Sequence, residues 1–117
     1  IDFTYQLETV RTLMGTVVDL PCMDKNNTII INPMDKLIWL RDNTADILSL
    51  DRTITIPNNR LSIVSSSYGN DDYDRTLRIK NVEEKDSGLY RCVQGDVTIA
   101  EVLLEILVGV QCVQNDK

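Results

Sequence analysis

Hydrophobic and polar residues alternate along most of the chain. In residues 16–22, for example, Val18, Leu20 and Cys22 fall on one side at a period of two, which is typical of a half-buried strand. Clusters of Asp, Asn, Gly and Pro, which favour turns, separate the alternating segments. The candidate strands are residues 16–22, 36–41, 47–50, 53–56, 60–64, 75–80, 88–93 and 98–108. Eight or nine short strands in roughly 110 residues predict an all-β sandwich of two antiparallel sheets.

The last of these segments has an alternative interpretation. Within residues 97–110, the apolar residues Ile99, Val102 and Ile106 also fit helical spacing. A strand is favoured, because the segment is rich in β-branched residues and lacks a helix cap.

Composition restricts the chemistry that the chain can perform. It has 117 residues, with 18 acidic and 12 basic side chains, a net charge of −6, three cysteines, one tryptophan and no histidine. This length suits one domain. An acidic chain without a basic block is not expected to bind nucleic acid. Without histidine, the commonest general base and zinc ligand is missing, so we expect neither an enzyme nor a cofactor.

No membrane-spanning segment is expected within the chain. The longest apolar run, residues 102–110, is interrupted by Glu105 and is far shorter than the ~20 residues that span a bilayer. Because the chain begins at Ile1 instead of methionine, we expect a processed or excised fragment. Any membrane anchor would then lie in other parts of the parent protein.

A cysteine and tryptophan framework carries the clearest motif. Cys22 and Cys92 lie 70 positions apart with Trp39 between them, and residues 86–92 read D-S-G-L-Y-R-C. This D-x-G-x-Y-x-C run, together with G-x-x-V-x-L-x-C ending at Cys22 and L-x-I at residues 77–79, resembles the immunoglobulin superfamily. The resemblance extends over nearly the whole chain and implies an immunoglobulin-like sandwich with Greek-key connections.

The resemblance implies a disulfide between the two sheets. Cys22 and Cys92 would form this bridge, and Trp39 would pack against it. The alternative is two free thiols in a cytosolic protein. A disulfide indicates an oxidising compartment, so we expect an extracellular domain, either secreted or on the cell surface.

The resemblance also assigns roles to four other residues. Leu77 is expected in the core, and Tyr90, two residues before the second cysteine, is expected to form a tyrosine corner. Arg60 and Asp86 are expected to form a salt bridge at the end of the sandwich, a pair that recurs in variable-type immunoglobulin domains.

The length between the cysteines favours the variable type. It leaves room for C′ and C″ strands at residues 46–50 and 53–56. No F-G-x-G motif follows Cys92, so an antigen-receptor chain is not expected. Residues 47–63, 76–82, 86–88 and 98–102 are similar to the first domains of lachesin, amalgam and the Dpr and Dpr-interacting families, which are invertebrate neural cell-surface proteins.

Alternation also predicts a binding surface. If Trp39, Tyr90 and Cys92 point inward, their neighbours point outward from the sheet. We call the resulting surface the G-F-C-C′ face, after the immunoglobulin strand letters. Its predicted residues are Ile38, Leu40, Ile47, Leu48, Arg91, Val93, Leu103 and Glu105. Contiguous exposed apolar area indicates an interaction site, and the families named above pair their first domains through this face, in homodimers and in heterodimers.

We therefore expect an extracellular recognition or adhesion domain that binds another immunoglobulin domain, or a second copy of itself. One alternative is an immune or humoral domain that binds ligands through its loops. A second alternative is a structural spacer, for which the G-F-C-C′ face should be polar.

Three further predictions concern the boundaries and surface of the domain. Residues 1–110 are expected to form the domain, and residues 111–117 a linker or tail. Cys112 falls in that tail, beyond the last predicted strand, and cannot join the core bridge. Asn26 begins an N-x-T sequon and is a candidate glycosylation site in a secreted protein.

Overall fold

The structure, a computed structural model, describes residues 7–22, 36–42, 44, 46–64 and 76–108. Asn26, Cys112 and the predicted tail at residues 111–117 lie outside the described residues. The described ranges contain no helix that is long and apolar enough to cross a membrane.

The described part of the chain folds into nine strands and one short 3-10 turn. They are β1 (Leu7–Leu13), β2 (Val18–Leu20), β3 (Leu37–Arg41), β4 (Asp46–Leu50), β5 (Thr53–Ile54), β6 (Leu61–Val64), β7 (Thr76–Ile79), the 3-10 turn (Glu84–Asp86), β8 (Gly88–Gln94) and β9 (Val97–Leu107). The order β1-β9-β8-β3-β4-β5 forms a six-stranded sheet, and β2-β7-β6 forms a three-stranded sheet. In immunoglobulin letters β3, β4, β5, β8 and β9 are C, C′, C″, F and G. The predicted variable-type sandwich is confirmed.

The first strand differs from the prediction in two ways. Residues 7–13 were not among the candidate strands, and β1 pairs with β9 in parallel, so the six-stranded sheet is not wholly antiparallel. Alternation in β1 is difficult to detect because its outward positions mix leucine with Thr9 and Arg11. The chain then turns to the other sheet at Gly15, whose φ of +90° favours glycine.

Both sheets bury their inner positions against a shared core. Trp39, Leu77 and Cys92 are fully buried, as the resemblance implies. Cys22 and Cys92 form a disulfide between the sheets, with their Cα atoms 5.8 Å apart. At residues 97–107 the chain is extended and pairs with both β8 and β1, so the strand interpretation holds over the helical one.

A polar cluster closes one end of the sandwich. Arg60 donates two hydrogen bonds to the buried Asp86 carboxylate, at 2.7 and 3.1 Å, and the backbone N–H of Glu83 donates a third at 2.7 Å. Burial by itself raises the pKa of Asp86, but the hydrogen bonds from Arg60 and Glu83, with the charges of Arg60 and Arg41, lower it overall. The Asp86 hydrogen bond is also the largest cause of a raised pKa at Arg60.

Tyr90 forms the tyrosine corner at the same end. Its hydroxyl donates to the carbonyl oxygen of Asp86 at 2.6 Å, and burial raises the pKa of Tyr90 to about 12. Sequence reasoning did not single out Arg41, at the end of β3. Its guanidinium lies 5.4 Å from the Tyr90 ring centroid and donates to the carbonyl oxygens of Lys85 and Ser87. Arg41 thereby connects the end of β3 to the 3-10 turn and to Ser87, which precede β8.

Candidate protein-interaction face

The two central strands, β3 and β8, define the outward positions of the sheet. Trp39 is opposite Cys92 in the register, and both side chains are buried. Their neighbours Ile38, Leu40 and Val93 therefore point to the outer surface, where each is partly exposed.

Apolar side chains form two neighbouring rows, one across β8, β3 and β4 and the other across β3 and β4. Ile38 is opposite Val93 on one side and Leu50 on the other. Leu40 is opposite Ile47, which is 53% exposed, and Leu50 is 44% exposed. Directly opposed residues in a sheet lie within side-chain contact distance, so these positions form one continuous apolar surface.

The structure corrects the prediction at Leu48. The register of β3 and β4 shifts by one residue, so that Trp39 is opposite Ser49 while Leu40 is opposite Ile47. Leu48 is the extra residue of this bulge and is buried with 4% exposure, and Ser49 is fully buried. Placing Leu48 on the G-F-C-C′ face was therefore wrong. Leu50, which the prediction omitted, takes the outward position.

A small ionic cluster borders the apolar rows. The Nη2 atom of Arg91 lies 3.0 Å from Oδ1 of Asp42 and 3.1 Å from Oε2 of Glu101. Arg91 is opposite Leu40 on one side and Glu101 on the other, so the cluster adjoins the apolar surface. Asp42 follows the end of β3, and its backbone N–H donates to the carbonyl oxygen of Leu89 at 2.8 Å. The side chains of Asp42 and Arg91 remain 38% and 31% exposed.

Leu103 and Glu105 lie further toward the β1 edge of the sheet. Leu103 is opposite Leu89 of β8. Glu105 is opposite Arg11 of β1 and accepts a hydrogen bond from its Nε atom at 2.6 Å. Both residues are on the outer surface, but Glu105 pairs with Arg11, and Glu101 takes the position beside Arg91.

Asp42, Leu50 and Glu101 are the residues of this surface that sequence reasoning missed. Asp42 lies two positions after Leu40, so period-two alternation was a usable signal. Leu50 and Glu101 follow one-residue register shifts, which alternation does not reveal. The G-F-C-C′ face of the structure therefore consists of these three residues together with Ile38, Leu40, Ile47, Arg91, Val93, Leu103 and Glu105.

Within the described ranges, no group of three or more His, Cys, Asp or Glu side chains is arranged to hold a metal ion. The humoral alternative would bind ligands through the loops at residues 23–36 and 70–74, and apart from Lys36 these loops lie outside the described ranges.

No family model and no curated protein matches the chain. Solved structures do match it. A chain in the structure of Dpr11 IG1 bound to DIP-gamma is 27% identical, with a TM-score of 0.66, over 86% of this chain and 97% of that one. A chain in the structure of Dpr1 IG1 bound to DIP-eta IG1 is 25% identical, with a TM-score of 0.67, over 86% and 88%. The RIG-5 IG1 homodimer shares the fold, at 22% identity and a TM-score of 0.70, over 86% and 91%.

These neighbours are immunoglobulin domains that were crystallised bound to other immunoglobulin domains or to copies of themselves. The expected resemblance to first immunoglobulin domains of the Dpr and Dpr-interacting proteins is thus confirmed.

Proposed function

We propose that this chain is an extracellular recognition domain that binds another immunoglobulin domain through its G-F-C-C′ face. The observation that carries the proposal is the continuous apolar surface on β3, β4 and β8, in which Ile47 and Leu50 are about half exposed. The resemblance to immunoglobulin domains that occur in complexes supports the same class of partner.

The physical argument rests on the geometry of the sheet. A sandwich normally places polar side chains on its outer surface and apolar ones in the core. Here the outward positions Ile38, Leu40, Ile47, Leu50 and Val93 are apolar on three adjacent strands. A specific protein contact buries about 800 Å² per partner, and its energy is concentrated in central residues that become fully desolvated. An apolar sheet surface with charges beside it fits that description.

The location follows from the disulfide and the resemblance. A buried Cys22–Cys92 bridge is maintained in an oxidising compartment, which supports an extracellular domain on the cell surface. Protein binding of this kind needs no catalytic residue, and we infer that the domain is not an enzyme.

The structural-spacer alternative is disfavoured by a specific observation. A spacer needs no apolar outer surface, and it predicts a polar G-F-C-C′ face, whereas five of the outward positions on β3, β4 and β8 carry aliphatic side chains.

The proposal is tested by substituting an exposed residue of the face. Ile47→Asp places a charge in the apolar surface, and Val17→Asp is the matched control, because Val17 is 55% exposed and precedes β2 on the opposite sheet. Binding would be measured by surface plasmon resonance against purified Dpr11, DIP-gamma and RIG-5 first domains and against the chain itself. We expect at least a tenfold loss of affinity for Ile47→Asp, or about 1.4 kcal/mol, and no change for Val17→Asp.

Equal urea midpoints for both variants and the parent would establish that folding is preserved. If no domain of the panel binds the parent, or if Ile47→Asp and Val17→Asp bind as the parent does, the proposed face is wrong.

A further inference from the structure

We infer that the protein partner of the G-F-C-C′ face presents a basic side chain opposite Asp42 and Glu101, and that a second copy of this chain is a poor partner. This inference rests on the proposed function and names the chemistry of its partner. It is carried by the charge balance of the ionic cluster beside Leu40.

The cluster has more negative than positive charge. One guanidinium, that of Arg91, serves two carboxylates, and both approach the same nitrogen atom, at 3.0 and 3.1 Å. A second ion pair on this outer surface, Arg11 with Glu105, is balanced. Among the described residues of the Arg91 cluster, the two carboxylates therefore leave one negative charge uncompensated beside the apolar rows.

Docking would remove water from this charge. Asp42 is 38% exposed, so its carboxylate is hydrated in the isolated domain. A partner that covers Leu40 and Ile47 also covers the neighbouring cluster, because Arg91 is directly opposite Leu40. Removing water from an unbalanced carboxylate is costly unless the partner supplies a cation. A lysine or arginine of the partner would add a second cation to Arg91, so that two cations would then face the two carboxylates.

The same cluster on a second copy does not supply that balance. In a two-fold dimer the same surface occurs on both sides, so the two Arg91 clusters would together bring two guanidinium groups against four carboxylates. The chains would also approach each other with a net charge of −6 each. Charge of one sign on both partners raises the free energy of a pairing and selects against it.

The test uses the chain itself as a probe of known charge. Asp42→Lys gives a copy whose face carries a cation in place of one of the two carboxylates beside Arg91. Asp19→Lys is the matched control, because Asp19 is also partly exposed and pairs with an arginine, Arg78, but lies on the three-stranded sheet. Both substitutions change the net charge by the same amount. Sedimentation equilibrium and surface plasmon resonance would measure the parent alone and in mixtures with each variant.

We expect the mixture of parent and Asp42→Lys to associate at least tenfold more tightly than the parent with itself. The gain should shrink as salt is raised, since exposed charges are screened. The mixture with Asp19→Lys should show no gain. Two results would overturn the inference. One is strong self-association of the parent that Asp42→Lys weakens, and the other is equal association in all mixtures.

Adding Ile47→Asp to the Asp42→Lys copy separates this inference from the proposed function. Loss of the gain places the contact on the G-F-C-C′ face, as expected. A gain that survives Ile47→Asp shows that the charge acts elsewhere, and it contradicts both the inference and the proposed face. If the mixture shows no gain while Ile47→Asp still abolishes binding to a panel domain, the proposed function stands and the inference fails.

Discussion

Removing the disulfide should destabilise the domain mainly through its unfolded state. Cys22 and Cys92 close a loop across a sequence separation of 70 residues. For a loop of this length, the chain-entropy model gives about 4 kcal/mol of stabilisation at room temperature. Small domains have a total stability of about 5–15 kcal/mol, so Cys22→Ala with Cys92→Ala should leave a protein close to its unfolding threshold.

Urea denaturation followed by Trp39 fluorescence would measure this effect. Trp39 is the single tryptophan of the chain and is fully buried, so its emission reports on the core. Because the bridge restricts the unfolded chain, the double variant should show a lower midpoint and also a larger slope of free energy against urea, since more surface becomes exposed on unfolding. Parent and variant should both carry Cys112→Ser to prevent thiol exchange.

Chemical reduction of the Cys112→Ser parent is the control, because it breaks the cross-link without deleting buried atoms. The reduced protein should lose nearly as much stability as the double alanine variant. A loss below about 1 kcal/mol with an unchanged slope would refute the entropic argument. A loss in the alanine variant that reduction does not reproduce would instead assign the effect to packing.

Three further predictions concern buried polar groups. Tyr90→Phe removes the hydrogen bond to the Asp86 carbonyl and should cost about 1–2 kcal/mol, measured by the shift in urea midpoint. Ser49→Ala should be neutral or stabilising by up to about 1 kcal/mol in the same assay, because the Ser49 hydroxyl is buried without a hydrogen-bond partner in the described part of the chain; a clear loss would contradict this. The lowered pKa of Asp86 means that its contribution to stability is present above the ordinary aspartate pKa of about 3.8 and is lost as pH falls through the folded-state value. Urea midpoints measured over a series of acid pH values should show this loss in the parent. Asp86→Asn should be less stable than the parent at neutral pH, and its stability should change less as the pH falls below about 3.8.

Much of the framework follows from local features of the sequence. Period-two alternation located eight of the nine strands, and the D-x-G-x-Y-x-C motif placed Tyr90 and Cys92 correctly relative to Trp39. These features can be recognised because inward residues of a sandwich must be apolar at every second position. β1 was missed because it lies at an edge and exposes one side, so burial imposes a weaker pattern on it.

The composition of the candidate site was less predictable than its location. Ile38, Leu40, Arg91 and Val93 were placed on the outer surface by alternation alone, since they flank Trp39 and Cys92 on regular strands. Gln94 of β8 is opposite Val97 of β9. If the two strands paired without a register shift from that point, Ala100 would lie opposite Arg91. The register shift at Val93 instead places Glu101 there.

The sequence by itself determined the sandwich, its disulfide framework and the side of the sheet that carries apolar residues. These properties depend on local periodicity and on motifs whose spacing the chain displays directly. Tertiary structure alone decided that Leu48 enters the core while Leu50 leaves it, and that Arg91 shares two carboxylates. A bulge shifts every later pair by one residue, and its position depends on how two strands pack together. The alternation within one strand therefore cannot reveal which charges surround the apolar surface.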